Sequence, residues 1–245
     1  MPTGRLKTAV PEQPLPQPPL QAERKTMPAL LFDLDGTMLN SDPIHEAVFA
    51  KLWTDRGLPV PQGFYMEQVH GRLNVDVFAD HLPDEPDPQG LSEWKEAEFR
   101  DRLPSPYPAT PGLAAFLDLA QAQDWQIAVV TNAMRLNAEA MLRAIGLRDR
   151  FEVIVIGEEC EHGKPHPMPY LNAMDALGET PSSCIAFEDS PSGMRAAAAS
   201  GAYSIGIRSA LDDAKLRAAG ADMTVEDFTD PALPGILARI QGEAA

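Results

Sequence analysis

The chain has 245 residues, of which 44% are hydrophobic and 23% charged, and its 20 Lys and Arg against 36 Asp and Glu give a formal net charge of -16. A chain of this size can bury a large hydrophobic core, which excludes a disulfide-stapled miniprotein. The negative charge repels nucleic acid and anionic lipid, so neither is an expected partner. A small phosphorylated metabolite stays open if local cations or a metal offset the field.

Residues 1–28 are predicted to form a disordered tail. They contain seven of the 24 prolines and no apolar run, a composition typical of extended, unfolded segments. A ligand for an SH3-type domain is the alternative interpretation of this proline tract. No apolar segment resembles a secretory signal, and Cys160 and Cys184 lack the spacing of a zinc site, so we expect a cytoplasmic protein with two free thiols.

Short apolar runs beyond the tail predict five β-strands, at 29–32, 127–130, 153–156, 184–187 and 204–207. The patterns between the later runs predict helices over 112–123, 134–146, 167–178, 190–200 and 211–219. Nearly continuous apolar strands that alternate with helices are typical of a parallel sheet covered on both faces. The predicted fold is therefore a doubly wound α/β domain, with a further edge strand and a last helix after Ala221.

The interval 42–108 interrupts this alternation. It contains no buried strand pattern, and its apolar spacing predicts helices over 43–56, 62–69, 73–82 and 91–102. An insertion of this length is too long for a loop. We therefore predict a helical cap domain at 42–108, placed over the carboxyl end of the first strand, and an α/β core domain formed by 29–41 and 109–245.

Polar side chains follow four of the predicted strands. Because ligands of parallel sheets bind beyond the carboxyl ends of the strands, these side chains are expected to meet at one edge. Several carboxylates at such density require a cation, and an all-oxygen set suits a hard ion such as Mg²⁺. The side chains concerned are Asp33, Asp35, Thr131, Asn132, Lys164, Glu188 and Asp189.

Each of these residues has an ordinary structural explanation when it is taken alone. Asp33 or Asp35 suits a turn after a strand, Asn132 or Asp189 suits a helix start, and Lys164 before a proline suits a solvated turn. Their common placement after strands, on one edge of the sheet, favours the functional interpretation.

Four segments of the chain resemble the signature motifs of the haloacid dehalogenase-like (HAD) superfamily: in order, FDLDGT, VVTNA, GKPHP and FEDSPSG. The resemblance covers residues 29 to about 208 and implies a Rossmann-like core. The inserted helices resemble the C1-type cap of the branch that contains β-phosphoglucomutase, phosphoglycolate phosphatase and sugar-phosphate phosphatases.

The resemblance implies catalytic roles for the core residues. Asp33 would be the nucleophile and Asp35 the general acid/base, while Thr131 and Asn132 would bind phosphoryl oxygens together with the charge-neutralising Lys164. To protonate a leaving alkoxide, Asp35 needs a pKa well above that of a free aspartate, and we expect burial under the cap to raise it.

The same resemblance implies a Mg²⁺ site. Asp33 would contribute its side chain, Asp35 its backbone carbonyl and Asp189 its side chain, while Glu188 is expected in the outer shell of the metal. A metal at this place would offset the repulsion between an attacking carboxylate and a phosphate dianion.

Candidate substrate contacts in the cap are His45 and the His70-Gly71-Arg72 turn, by resemblance to the branch. The mutase lysine before that glycine is His70 here, and its arginine three residues after the glycine is Asn74. This departure weakens the case for a mutase, although Arg72 could substitute. Three further cap cations are expected to be solvated charges on a helix face: Lys95, Arg100 and Arg102.

The prediction is a Mg²⁺-dependent phosphatase that acts on a small phosphorylated metabolite, a sugar phosphate or phosphoglycolate, through a phosphoaspartate. Asp35 disfavours dehalogenation, because by resemblance dehalogenases lack that carboxylate. The alternatives are a β-phosphoglucomutase-type mutase and a non-catalytic binding protein on the same fold.

Overall fold

A single sheet of parallel strands forms the centre of the computed structural model, which describes residues 28–235. The strands are β1 (Ala29–Phe32), β2 (Gln126–Thr131), β3 (Val153–Ile156), β4 (Cys184–Glu188), β5 (Tyr203–Ile207) and β6 (Met223–Val225). Their order in the sheet is β3-β2-β1-β4-β5-β6. The predicted doubly wound α/β fold and the extra edge strand are confirmed.

Helices flank the sheet and form the insertion. They are α1 (Asp42–Asp55), α2 (Asn74–His81), α3 (Pro88–Arg102), α4 (Leu113–Ala122), α5 (Arg135–Ala144), α6 (Met168–Leu177), α7 (Pro191–Ser200) and α8 (Asp213–Ala219). Apart from Pro28, the predicted tail lies outside the described residues, as do residues 236–245 of the stretch where a last helix is expected. No helix between residues 28 and 235 combines the length and apolar character needed to cross a bilayer.

The side chains of the central strands pack into apolar layers on both faces of the sheet. On one face, the rings of Phe32 and Phe187 stack with their centroids 5.0 Å apart, and Phe116 meets Phe187 edge-on at 5.5 Å. Full burial of one such ring contributes roughly 1.5–3 kcal/mol. These layers fix the ends of β1 and β4 side by side, which is what positions the residues that follow them.

Helices α1, α2 and α3 pack around an apolar cluster of their own, which includes Phe49, Trp53 and Phe78. The helix predicted over 62–69 is confirmed only in part: a short π-helical segment covers Tyr65–Val69. Gly63 has a φ of +79°, which breaks the helical path just before that segment. Helix α3 begins earlier than predicted, because Asp87 accepts a hydrogen bond from the backbone N–H of Gly90 at 2.9 Å and caps it.

The two connections between the inserted helices and the sheet lie against each other. The Tyr107 hydroxyl donates to the carbonyl of Asn40 at 2.8 Å. Thr110 donates its backbone N–H to Met38 O at 2.8 Å and its hydroxyl to Thr37 O at 2.7 Å. The chain therefore leaves the sheet and returns to it at one place.

Candidate active site

The register of the sheet brings the ends of β1 and β4 together. Phe32 of β1 is aligned with Phe187 of β4, and the backbone N–H of Asp33 donates to the carbonyl of Phe187 at 3.0 Å. Asp33 and Glu188 are the next residues on neighbouring strands. Their carboxylates therefore emerge side by side at the carboxyl edge, where ligand sites of parallel sheets form.

Three buried carboxylates converge there. One oxygen each of Asp33, Glu188 and Asp189 lies within 4.8 Å of the other two. The ammonium of Lys164 is buried beside them, with Nζ 2.6 Å from Asp33 Oδ1 and 2.6 Å from Glu188 Oε1. It also donates to the carbonyl of Val130 at 2.6 Å.

The charges of this cluster do not balance. Burial raises the pKa of Asp33 well above its ordinary value, and the neighbouring Glu188 raises it further, against the opposing effect of Lys164. Burial, Asp33 and Glu188 likewise raise the pKa of Asp189. The pKa of Lys164 is raised although burial lowers it, because Asp33 and Glu188 hold the ammonium. One ammonium thus faces three carboxylates, and an additional cation would favour their ionised forms.

The donor set fits a divalent cation with a preference for oxygen ligands. Asp189 is oriented by the hydroxyls of Thr37, at 3.3 Å, and Ser209, at 3.2 Å. Glu188 is held by buried partners, since besides the Lys164 ammonium its carboxylate accepts a hydrogen bond from the Tyr170 hydroxyl at 2.9 Å. A side chain at Gly36, whose φ is +79°, would collide with the Asp189 carboxylate, so glycine is required for the backbone to pass this close.

Asp35 is held by residues of α1 and its N-cap. Its Oδ1 accepts from the Ser41 hydroxyl at 2.6 Å and lies 3.2 Å from His45 Nε2. Lys95 Nζ is 2.7 Å from His45 Nδ1, so the ring can donate through Nε2 to Asp35. The expected rise in the pKa of Asp35 is wrong for this structure: burial raises the pKa, but the contacts with His45 and Ser41 and the charge of Lys95 lower it by more.

The expectation that Lys95 is a solvated charge is also wrong. Its side chain is only 3% exposed, and its ammonium lies 2.8 Å from Glu96 Oε1 and 5.1 Å from the centroid of the Phe49 ring. Arg102 behaves as expected, since it is exposed and pairs with Glu98 one helical turn earlier at 3.1 Å.

Arg100 likewise has a specific partner instead of solvent. Its guanidinium donates to Asn137 Oδ1 at 2.5 Å, and the amide of Asn137 donates to Glu96. Asn137 is 2% exposed and belongs to α5, whereas Arg100 and Glu96 belong to α3. A buried side chain of the α/β core therefore joins two residues of the inserted helices.

The predicted phosphate-binding residues lie at the edge of the cavity, which both Thr131 and Asn132 line. The Thr131 hydroxyl accepts from the backbone N–H of Ala133 at 3.0 Å. The Asn132 amide holds both backbone groups of Lys164, accepting from its N–H at 3.0 Å and donating to its carbonyl at 3.1 Å. In this structure Asn132 therefore orients the loop that carries Lys164.

The His70-Gly71-Arg72 turn also lines the cavity. His70 Nε2 is 3.6 Å from Asp42 Oδ2. Arg72 is tied back to its own surroundings, donating to Asp80 Oδ2 at 2.6 Å and to the carbonyl of Gln68 at 3.0 Å. Its guanidinium is thus paired with Asp80 at a partly exposed position.

Sequence reasoning missed several residues around the site. Ser41, Tyr170 and Ser209 hold the carboxylates of Asp35, Glu188 and Asp189, but isolated hydroxyls carry no spacing signal. Glu158 was also missed, although it lies two residues after the end of β3 and lines the cavity. The rule that strand ends supply site residues could have found it.

Comparisons with known proteins agree with this architecture. A sequence model described as haloacid dehalogenase-like hydrolase matches residues 27–201. Validoxylamine A 7'-phosphate phosphatase of Streptomyces hygroscopicus subsp. limoneus is 31% identical over 208 residues, covering 84% of this chain and 96% of that protein. A phosphorylated carbohydrates phosphatase of Thermotoga maritima is 28% identical over 208 residues, covering 80% of this chain and 92% of that protein.

A solved structure of a HAD hydrolase has a similar fold. The HAD hydrolase of family IA, variant 3, from Entamoeba histolytica superposes with a TM-score of 0.79 at 25% identity, over 88% of this chain and 100% of that chain. The resemblance that the four motifs indicate is confirmed. By its matched sequence, its sheet and its edge of convergent carboxylates, the chain belongs to the haloacid dehalogenase-like hydrolases.

Proposed function

We propose that this protein is a Mg²⁺-dependent phosphatase that hydrolyses a small phosphorylated metabolite, of the sugar phosphate or phosphoglycolate type, through a phosphoaspartate. The observation that carries the proposal is the buried cluster of Asp33, Glu188 and Asp189 with Lys164, which opens into a cavity lined by the inserted helices. Two similar proteins named as phosphatases support it.

Asp33 would act as the nucleophile. Its carboxylate oxygen forms a bond to phosphorus while the ester P–O bond breaks, and the products of this step are an aspartyl phosphate and an alkoxide. Lys164, which donates to Asp33 and Glu188, reduces the repulsion between carboxylate and phosphate. Mg²⁺ would be held by Asp33, the Asp35 carbonyl and Asp189, with Glu188 in its outer shell. When bound, Mg²⁺ supplies further positive charge against the phosphoryl oxygens.

Asp35 would serve as acid and then as base. It protonates the leaving alkoxide and later removes a proton from the water that attacks the aspartyl phosphate. The lowered pKa of Asp35 in this structure suits the second role. A bound phosphate dianion raises the pKa of a neighbouring carboxyl, so binding of substrate would promote the protonated form that the first role requires.

The inserted helices would act as a cap that excludes water from the first step and releases product by opening. We place the cap at 42–108 and its hinges at Asn40–Asp42 and Tyr107–Thr110, where the two connections touch. His45, through Asp35, and the His70 and Arg72 turn belong to this cap. The cytoplasmic location expected from the sequence is part of the same proposal.

A phosphosugar mutase is the alternative, and the contacts of the cap argue against it. A mutase must hold a bisphosphate in two orientations, which needs a second cationic site. Arg72 is already paired with Asp80. Asn74, at the position of a mutase arginine, donates to Glu96 at 2.6 Å and to Ser92 at 3.0 Å. A non-catalytic binding protein is disfavoured because the nucleophile, the acid/base and the lysine are all present.

The test is to incubate the protein with Mg²⁺ and a panel of metabolite phosphates and to follow inorganic phosphate. We expect release, its loss in Asp33→Asn, and its retention in the control Asp175→Asn, which changes an exposed carboxylate on α6. A mutase would instead convert glucose 1-phosphate without releasing inorganic phosphate, and only after priming by a bisphosphate. Full turnover in Asp33→Asn, or no turnover of any ester, would contradict the proposal.

A further inference from the structure

The cations that line the cavity are all engaged by carboxylates of the protein. Within the described part of the chain, each basic side chain of the lining contacts an acidic partner. The pairs are Lys164 with Asp33 and Glu188, Lys95 with Glu96, Arg72 with Asp80, His45 with Asp35 and His70 with Asp42. A second anionic group on a substrate would therefore have to compete with a carboxylate of the protein for each of these cations.

Two carboxylates of the described lining have no basic partner: Asp189, which accepts hydrogen bonds from two hydroxyls, and Glu158. Between residues 28 and 235, the structure gives the side chain of Glu158 no hydrogen bond and no ion pair, and Glu158 lines the cavity while still exposed to solvent. Partial burial raises its pKa, and the nearby Glu96 and Glu159 raise it further. Glu158 thus lies near two other carboxylates, Glu96 of α3 and Glu159 beside it in the chain, which pair with Lys95 and Arg135 respectively.

The rest of the wall is polar and uncharged. Gln89 and Ser92 line the cavity from α3. Three further amides of the lining are held by neighbouring side chains or backbone: Asn74 by Glu96, Asn132 by Lys164 and Asn137 by Arg100. Hydroxyl and amide groups of this kind exchange hydrogen bonds with alcohols. The described lining of the cavity therefore offers acceptors and neutral donors to a leaving group, but no unpaired cation.

We propose that Glu158 is a specificity-determining residue, which makes this site select phosphate monoesters whose leaving group carries hydroxyl or ammonium groups and reject those whose leaving group carries a second anion. This inference rests on the proposed phosphatase function and narrows its substrate class, since it disfavours phosphoglycolate. A carboxylate accepts hydrogen bonds from hydroxyls and stronger ones from ammonium groups, whereas a like charge opposite it costs binding energy and acts as a rejecting element.

The experiment compares esters that differ in one group. Glycerol 3-phosphate and 3-phosphoglycerate differ by a hydroxymethyl against a carboxylate, and glucosamine 6-phosphate and glucose 6-phosphate by an ammonium against a hydroxyl. For the wild-type protein with Mg²⁺ we expect kcat/KM to favour glycerol 3-phosphate by at least about tenfold and to be no lower for the amine than for the alcohol.

The variant Glu158→Gln removes the charge and keeps the shape. We expect it to reduce the preference for glycerol 3-phosphate over 3-phosphoglycerate by about three- to tenfold, chiefly through KM. The matched control Glu161→Gln, an exposed carboxylate of the same loop outside the lining of this cavity, should leave the preference unchanged. Binding to Asp33→Asn, followed by thermal shift, should show the same order of ligands without turnover.

The outcomes separate the two proposals. Hydrolysis of all four esters with no preference, or an unchanged preference in Glu158→Gln, overturns the inference about Glu158 and leaves the phosphatase proposal standing. Hydrolysis of none of them, nor of any other phosphate ester, overturns the phosphatase proposal, and the inference with it.

Discussion

Replacing Lys164 by methionine should destabilise the protein strongly in the absence of metal. The ammonium is buried and touches Asp33, Glu188 and the carbonyl of Val130, each at 2.6 Å. Methionine fills similar space but leaves the carboxylates without their internal cation. Loss of one partner from a buried charge pair costs about 3–5 kcal/mol. For a chain of this size that corresponds to a fall in melting temperature of roughly 6–20 °C.

The assay is a thermal melt of Lys164→Met and wild type at several pH values, with and without Mg²⁺. The deficit should shrink as the pH falls, because protonation of the carboxylates removes the uncompensated charge. A ligand that binds only the folded state raises its stability. Mg²⁺ should therefore stabilise both proteins, and it should stabilise the variant more than wild type because the carboxylates of the variant have lost their internal cation. The control Lys215→Met removes an exposed ammonium on α8. Equal melting temperatures for Lys164→Met and wild type would refute the reasoning.

Two further predictions concern the contact between α3 and α5. In Asn137→Ala, Glu96 and Arg100 each lose a partner, which should cost about 1–3 kcal/mol in urea denaturation and raise KM; an unchanged denaturation midpoint and KM would contradict this. Burial raises the pKa of Glu96, but Lys95 and the amide of Asn74 lower it by more, so the folded-state pKa is depressed. Its stabilising effect is therefore present above about pH 4.3 and is lost as the pH falls through the folded pKa. The stability of wild type should fall on acidification relative to Glu96→Gln, and parallel curves from pH 6 to 3 would show the reasoning to be wrong.

Sequence patterns predicted the sheet well because its strands are short and apolar, and because the central strands β1 and β4 are buried on both faces. The runs at 29–32 and 153–156 coincide with β1 and β3 to the residue. Side chains such as Phe32 and Ile156 are almost fully buried, so no polar residue interrupts the apolar run. The stretch at 62–69 is helical only from about residue 65, because the left-handed Gly63 precedes the helical segment.

The candidate site was predictable where residues directly follow strands and less so where the cap contributes. The positions of Asp33 and Glu188 follow from the register of two parallel strands alone. The burial of Lys95 does not, because its partners His45 and Glu96 come together only once α1 and α3 pack. The pKa of Asp35 depends on the same long-range contacts, so its direction could not be read from neighbouring residues in the chain.

The side-by-side crossing of the two connections, tied by Tyr107 to Asn40 and by Thr110 to Met38, has an evolutionary consequence. An insertion whose two ends meet can be lengthened, rebuilt or exchanged without moving any strand of the sheet. The chemistry of bond cleavage and the choice of molecule to cleave can then diverge at different rates, one under the constraint of the sheet edge and the other free of it.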